Sequence, residues 1–200
     1  MTVKISDQRP RILLADDHPM ILAGLRKLLE LEFEVVETVT DGQALLSAAE
    51  RLRPDLVITD IGMPGLDGIE ATRRLQAVLP EVKVLILSID AKPSCVRAAF
   101  EAGAWGYLPK TSAPEEIERA VREILADRFY VSPVVARAAL AGARPLERPL
   151  PAEAALTARE LDIVRLVAEG LGNQQIARRL GVAMTTVRTH LSSVYEKLRL

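Results

Sequence analysis

Four apolar stretches of the sequence each end in side chains that could take part in phosphoryl or metal chemistry. They end at the acidic pair Asp16 and Asp17, at the carboxylate of Asp60, at the hydroxyl of Ser88 and at the amine of Lys110. A single Asp after a strand most often caps a turn. The carboxyl ends of parallel strands, however, meet at one edge of a sheet, where functional sites gather. The four stretches together therefore predict one polar constellation.

A cluster of three carboxylates requires a compensating charge. Asp16, Asp17 and Asp60 would repel one another when ionised, so they need either a proton or a cation. Oxygen ligands in a partly hydrated site suit Mg²⁺, which would neutralise charge on a phosphoryl group. Asp60 would then act as a nucleophile toward phosphorus, and Lys110 and Ser88 would contact phosphoryl oxygens. These residue types predict an aspartyl phosphate.

The segments between these residues alternate between strand and helix patterns. Apolar and β-branched runs predict strands at 11–15, 34–39, 55–60, 84–88 and 106–110, each followed by apolar residues at helical spacing. Five such pairs predict an α/β fold with a doubly wound, five-stranded parallel sheet. Right-handed crossovers would place all the strand-end residues at one edge of that sheet.

The sequence changes character after residue 130. Three prolines within 145–151 favour extended backbone, so residues 131–155 are predicted to form a linker. Beyond it, Thr157 and Glu160 have the spacing of a capping box, which begins a helix. Two further helical segments follow, separated by glycines.

The last of these segments is amphipathic. Its apolar stripe contains Val187, Leu191, Val194 and Leu198, and its opposite side contains Thr185, Arg188, Thr189 and Ser192. A short helix, a Gly-containing turn and such a helix predict a small all-α helix-turn-helix domain. From residue 157 onward the net charge is about +3, against −1 for the whole chain, which favours contact with nucleic acid.

Composition narrows the cellular location. The 200 residues allow one large or two small domains, and the 49% hydrophobic content is sufficient for buried cores. No apolar run reaches the roughly 20 residues that span a bilayer, and the N-terminus lacks a secretory apolar region. The single cysteine, Cys95, leaves no internal disulfide and fits a reducing compartment. We expect a cytoplasmic protein without membrane contact.

The motifs around these residues resemble those of a known family. Four segments are similar to those of two-component receiver domains, which have a flavodoxin-like fold: LADDH at 14–18, TDIGMPGLDG at 59–68, LS at 87–88 and GYLPKT at 106–111. Residues 156–200 resemble the helix-turn-helix domain of LuxR-type regulators. In order and spacing, the chain resembles response regulators of the NarL/FixJ family, with a receiver at 10–130.

This resemblance implies roles for the strand-end residues. Asp60 would accept a phosphoryl group from a sensor histidine kinase, and Lys110 would bind that group. Mg²⁺ would be bound by Asp16, Asp17, Asp60 and the backbone carbonyl of Gly62. Ser88 and Tyr107 would form a switch pair, in which the aromatic ring turns into space that the hydroxyl vacates.

The resemblance also implies a DNA-binding output rather than an enzyme. Contacts with double-stranded DNA would come from Thr185, Arg188, Thr189, Ser192 and Lys197. The phosphorylated chain would form a homodimer. The family normally continues into a fourth, dimer-forming helix, which would lie beyond Leu200. We therefore expect the domain at 156–200 to dimerise poorly by itself.

The sequence also supports expectations for the roles of three further residues. Ala183 stands where the family commonly has a serine that caps the recognition helix, and losing such a cap costs roughly 1 kcal/mol. We expect His18 to begin the first helix rather than to bind a metal or to donate a phosphoryl group. Trp105 is expected to lie on an interaction surface.

Two other classes of protein compete with this interpretation. A phosphohydrolase of the haloacid dehalogenase type also uses a strand-end Asp, but that class usually places an Asp-x-Asp pair on the first strand and has a capping domain. A pseudo-receiver that only binds proteins would not need the complete set of Asp, Ser and Lys residues. Acetyl phosphate with Mg²⁺ separates the three classes. A hydrolase turns over many times, a receiver is modified once per chain, and a pseudo-receiver is not modified.

Overall fold

The computed structural model describes residues 9–90, 92–135, 156–168, 171, 173–183, 186, 187, 189–191, 193 and 194. Strands and helices alternate through the first part: β1 (Arg11–Ala15), α1 (Pro19–Leu29), β2 (Glu34–Val39), α2 (Gly42–Leu52), β3 (Leu56–Asp60), α3 (Gly68–Val78), β4 (Lys83–Ser88), α4 (Pro93–Glu101), β5 (Gly106–Pro109), α5 (Pro114–Leu125) and β6 (Tyr130–Val131). Two helices, α6 (Ala158–Ala168) and α7 (Asn173–Leu180), follow in the second part.

The strands form one parallel sheet in the order β2-β1-β3-β4-β5-β6. The prediction of a doubly wound parallel sheet is confirmed, and the five expected strands are present. The sixth strand was not predicted, because two residues are too few to show a periodic pattern. It pairs Tyr130 with Gly106 and Val131 with Tyr107.

Each face of the sheet is covered by helices. Alternate residues of a strand point to opposite faces, so Leu13 packs with α2, α3 and α4, while Ile12 and Leu14 pack with α1 and α5. Both cores consist mainly of fully buried aliphatic side chains. This packing fixes the strand ends relative to one another. The polar residues at the ends of β3 and β4, and those directly after β1 and β5, lie at one edge.

The core of the first part includes residues after 130, at which the first domain was predicted to end. Val131 belongs to the sheet, and Val135 is fully buried against the core that contains α2, α3 and α4. The expectation that Trp105 is a surface residue was wrong. The residue is 3% exposed, and its ring stacks on that of Phe129, with ring centroids 5.0 Å apart. Phe129 also packs against the small apolar core of the second part.

The helix-turn-helix part begins as the sequence predicts. Thr157 N–H donates to Glu160 Oε2 at 2.7 Å, and Glu160 N–H donates to Thr157 Oγ1 at 3.2 Å, which completes the capping box. Arg159 ties α6 to α7 by donating to the carbonyl of Leu180 at 2.7 Å. The described residues between 186 and 194 are helical.

Ala183, whose methyl side chain cannot cap a helix, stands just before this last helical segment. The Ala183 carbonyl accepts the amides of Thr186 at 3.0 Å and Val187 at 3.3 Å. Three residues of the predicted apolar stripe, Val187, Leu191 and Val194, are buried. Leu198 lies outside the described residues, as do residues 136–155 of the predicted linker. Within the described part of the chain, no helix combines the length and the apolar character needed to cross a membrane.

Candidate functional site

The structure brings together the carboxylates and the amine that the sequence places at three strand ends. Lys110 Nζ lies 2.8 Å from Asp16 Oδ2 and 2.8 Å from Asp60 Oδ2. All three side chains are buried, with 8%, 2% and 7% of their respective surfaces exposed. A single cation therefore bridges the ends of β1 and β3 from its position just after β5.

The charge of Lys110 depends on this pairing. Burial disfavours the ammonium group and by itself lowers the pKa of Lys110, but hydrogen bonds with Asp16 and Asp60 outweigh it, so the pKa lies above its ordinary value. The side chain is consequently a cation at neutral pH. It is placed to hold an anionic group beside Asp60.

Close backbone packing positions Asp60. Its Oδ1 accepts the N–H of Ile61 at 2.7 Å. A Cβ added to Gly68 would lie 1.9 Å from the Asp60 carbonyl oxygen, so only glycine permits α3 to begin this close to the strand end. At Gly62 an added Cβ would lie 3.4 Å from Asp60 Oδ2. Glycine at this position keeps side-chain atoms away from this oxygen of the carboxylate.

The acidic pair supplies further oxygen atoms to the same edge. Asp16 is buried and Asp17 is 32% exposed at its side chain. Together with Asp60 and His18, they offer ligand atoms that all lie within 4.8 Å of one another. Three carboxylates beside an exposed loop match the oxygen-rich, partly hydrated environment that Mg²⁺ prefers. Gly62, the predicted carbonyl ligand, lies in that exposed loop.

His18 occupies the position at which α1 begins, as expected. Its backbone N–H donates to Asp16 Oδ1 at 2.9 Å, and it is the N-cap residue of the helix. Its ring makes no capping hydrogen bond. Instead, Nδ1 lies 3.1 Å from Asp16 Oδ1 and 2.6 Å from Asp17 Oδ1. The sequence pattern did not predict these ring contacts.

The predicted switch residues are linked through Asp90. Ser88 is buried, and its Oγ accepts the Asp90 N–H at 3.0 Å. The Tyr107 hydroxyl donates to the Asp90 carbonyl at 2.5 Å. Burial raises the pKa of Tyr107 to about 12, so the phenol remains a hydrogen-bond donor. Asp90 was not singled out in the sequence, because its contribution is made by backbone atoms.

The ring of Tyr107 is already fully buried. The sequence suggested that this ring moves inward when the hydroxyl of Ser88 moves. In this structure the ring is buried while Ser88 Oγ accepts the Asp90 amide. Any response of the pair must therefore start from a buried ring.

The predicted DNA-contacting residues are only partly described. Thr189 is exposed, on the side of the helical segment opposite the buried Val187 and Leu191. The other four, Thr185, Arg188, Ser192 and Lys197, lie outside the described residues. Arg178 and Arg179 of α7 are exposed as well.

Two family models match the chain. Residues 12–122 match the response regulator receiver domain, and residues 154–200 match the bacterial regulatory proteins of the luxR family. The two matches follow each other in the order that the sequence predicts. Together they cover most of the chain outside the linker.

Individual relatives are similar over nearly their full lengths. The nitrate/nitrite response regulator protein NarL of Escherichia coli K12 is 34% identical over 98% of this chain and 93% of its own. The transcriptional regulatory protein LiaR of Bacillus subtilis is 38% identical over 94% of this chain and 90% of its own. A structure of two RcsB dimers bound to two parallel DNAs is 27% identical, with a TM-score of 0.63, and covers 96% of this chain and 93% of that one.

Proposed function

Because this chain belongs to the NarL/FixJ family of DNA-binding transcriptional response regulators, we propose that Asp60 accepts a phosphoryl group and that this modification controls DNA binding. The observation that carries the proposal is the buried bridge from Lys110 to Asp16 and Asp60, with 2.8 Å contacts on each side. A buried amine between two carboxylates is well suited to hold phosphoryl oxygens. Members of this family are transcription regulators rather than enzymes.

The transfer step follows from the positions of these groups. A carboxylate oxygen of Asp60 attacks the phosphorus of a phosphohistidine on a sensor histidine kinase. The new bond joins oxygen to phosphorus, and the phosphorus–nitrogen bond breaks. The electron pair remains on the imidazole nitrogen, which takes a proton from water. Lys110 then pairs with a phosphoryl oxygen, because its ammonium group already lies beside Asp60.

We assign the acidic pair to a magnesium site. Asp16, Asp17, Asp60 and the carbonyl of Gly62 would hold Mg²⁺, which when bound neutralises charge on the transferring phosphoryl group. The support is the donor set, since carboxylate and carbonyl oxygens are the ligands that this ion prefers. Asp17, with a partly exposed side chain, would face both the ion and water.

Ser88 and Tyr107 would transmit the modification. Oγ of Ser88 would leave the Asp90 amide and bond to a phosphoryl oxygen, which frees the segment that Tyr107 holds through the Asp90 carbonyl. This segment leads directly into α4, and Tyr107 pairs with Val131 of β6 at the start of the linker. The switch would therefore be a shift between two packings of α4, β5 and β6.

The C-terminal part would bind double-stranded DNA. Arg188 is assigned to base edges, Thr185, Thr189 and Ser192 to the bases or backbone of the same groove, and Lys197 to the phosphates. We propose that phosphorylation favours a homodimer, by analogy with RcsB, which was solved as dimers on DNA. A regulator of this kind would act in the cytoplasm, where it meets chromosomal DNA.

Phosphorylation of the purified chain by acetyl phosphate and Mg²⁺ tests the assignment of the receiver. Intact mass should show one phosphoryl group for each chain, and chelation of the metal with EDTA should prevent its addition. Continued release of phosphate over many turnovers would instead indicate a hydrolase. An unchanged mass in the presence of Mg²⁺ would indicate a pseudo-receiver.

A further inference from the structure

We propose that Gly42, the first residue of α2, is a positioning residue for the metal site, because it lets the loop that carries Gly62 pack against this helix. Residues 61–67, which join β3 to α3, form this loop, the acceptor loop. The inference rests on the proposed function, since it concerns how Gly62 is held for Mg²⁺. Gly42 has no side chain that could bind the ion or the phosphoryl group, so it acts only through the position of the loop.

The backbone of the acceptor loop lies against the start of α2. A Cβ atom added to Gly42 would lie 2.2 Å from the Leu66 carbonyl oxygen and 2.9 Å from Leu66 Cβ. Real Cβ atoms essentially never come closer than 3.0 Å to such neighbours, so a larger residue would force one of the two segments to move. The carbonyl belongs to the backbone, and rotation of a side chain cannot relieve the clash. Glycine is therefore required for this close approach.

The helix is the more firmly held of the two segments. Three of its residues, Leu45, Ala48 and Ala49, are buried in the core. Asp41 caps the helix, because its carboxylate accepts an amide of the first turn at 2.8 Å. In the acceptor loop only Met63 is buried, and the other residues are exposed or half-buried. A segment with few buried contacts is displaced more easily than a packed helix. A larger residue at the start of α2 should therefore shift the loop.

Backbone hydrogen bonds would transmit such a shift to Gly62. The amides of Met63 and Gly68 both donate to the Ile61 carbonyl, at 2.9 and 3.0 Å. The Leu66 amide donates to a carbonyl within the loop at 2.9 Å. These bonds tie the two ends of the loop together, and Gly62 lies inside the turn that the first of them closes. A displacement at Leu66 would therefore change the position of the Gly62 carbonyl relative to the carboxylates at the strand ends.

Titration with Mg²⁺ tests this role directly. The wild-type chain, Gly42→Ala, Leu66→Ala and Gly24→Ala would be compared by calorimetry and by the amide NMR signals of the acceptor loop. Leu66→Ala removes a side chain that packs against the core and so loosens the loop without creating a clash. Gly24→Ala is the matched control, since a Cβ added there meets no atom within 4 Å. The rate of phosphorylation by acetyl phosphate would be measured over the same range of Mg²⁺ concentrations.

We expect Gly42→Ala to weaken Mg²⁺ binding about tenfold, the lower end of the effect of groups that orient metal ligands. Leu66→Ala should weaken it in the same direction, and Gly24→Ala should match the wild type. Gly42→Ala should need more Mg²⁺ for half of its maximal phosphorylation rate but approach the wild-type rate at saturating Mg²⁺, because Asp60 and Lys110 are unchanged. A merely structural defect would not divide the effect in this way.

Wild-type Mg²⁺ affinity in folded Gly42→Ala would overturn the inference and leave the metal site intact. If Gly42→Ala does not fold, wild-type affinity in Leu66→Ala would overturn it in the same way. A lower maximal rate with unchanged Mg²⁺ affinity would also contradict it. A wild-type chain that binds no Mg²⁺ would refute the proposed metal site itself, and the inference with it.

Discussion

Replacing Asp60 with asparagine is expected to abolish phosphorylation by acetyl phosphate. The amide has no carboxylate oxygen that can attack phosphorus, and no other described carboxylate lies beside both Lys110 and Gly62. The fold should remain, because an asparagine oxygen can still accept the Ile61 amide that Asp60 Oδ1 accepts at 2.7 Å. Intact mass measures the added phosphoryl group, and circular dichroism checks the fold.

Asp67→Asn is the matched control for this variant. Asp67 lies on the loop that follows Asp60, but its carboxylate is exposed and only caps α3, accepting the amides of Ile69 and Glu70 at 2.9 Å. Asparagine caps helices as well as aspartate does, so this control should be phosphorylated like the wild type. A normal mass increase in Asp60→Asn would place the acceptor elsewhere and refute the assignment.

Replacing Ser88 with alanine is expected to separate phosphorylation from its effect on DNA binding. The variant retains Asp60, Lys110 and the acidic pair, so it should still gain one phosphoryl group. It lacks the hydroxyl that would move from the Asp90 amide to the phosphoryl group. The gain in DNA affinity on phosphorylation should therefore be lost. Leaving the Asp90 amide without its partner should cost about 1 kcal/mol of folding free energy, a small loss beside total stability.

Ser88→Thr provides the comparison, since it keeps the hydroxyl at the same position. Both variants would be phosphorylated to the same measured extent and titrated against a duplex selected from a random library by the phosphorylated wild-type chain. Fluorescence anisotropy gives the affinity with and without the modification. If phosphorylated Ser88→Ala gains as much affinity as the wild type, the hydroxyl is not part of the switch.

The strand-end site was predictable because its signals are local. β1, β3 and β4 are apolar runs with a polar residue at or directly after their last position. Parallel pairing brings such strand ends together, whichever residues the helices contain. The capping box of Thr157 and Glu160 was predictable for the same reason, since both partners lie within one turn. Spacing alone specifies these features.

The features that were missed depend on contacts distant in sequence. β6 is too short to have a pattern and exists through its pairing with Gly106 and Tyr107. Trp105 is covered by Phe129, more than twenty positions along the chain, so its own neighbourhood gave no sign of burial. The burial of the Tyr107 ring depends on neighbours that the fold brings from other elements, so the sequence did not specify it.

The central claim is that phosphorylation of Asp60 raises the DNA affinity of this chain. Its most direct test is a titration of the selected duplex with wild-type protein phosphorylated to several known extents, each extent measured by intact mass on the same sample. Affinity should rise in step with the phosphorylated fraction, while Asp60→Asn under identical treatment stays at the unmodified value. An affinity that does not change with the phosphorylated fraction, or that rises equally in Asp60→Asn, would contradict the claim.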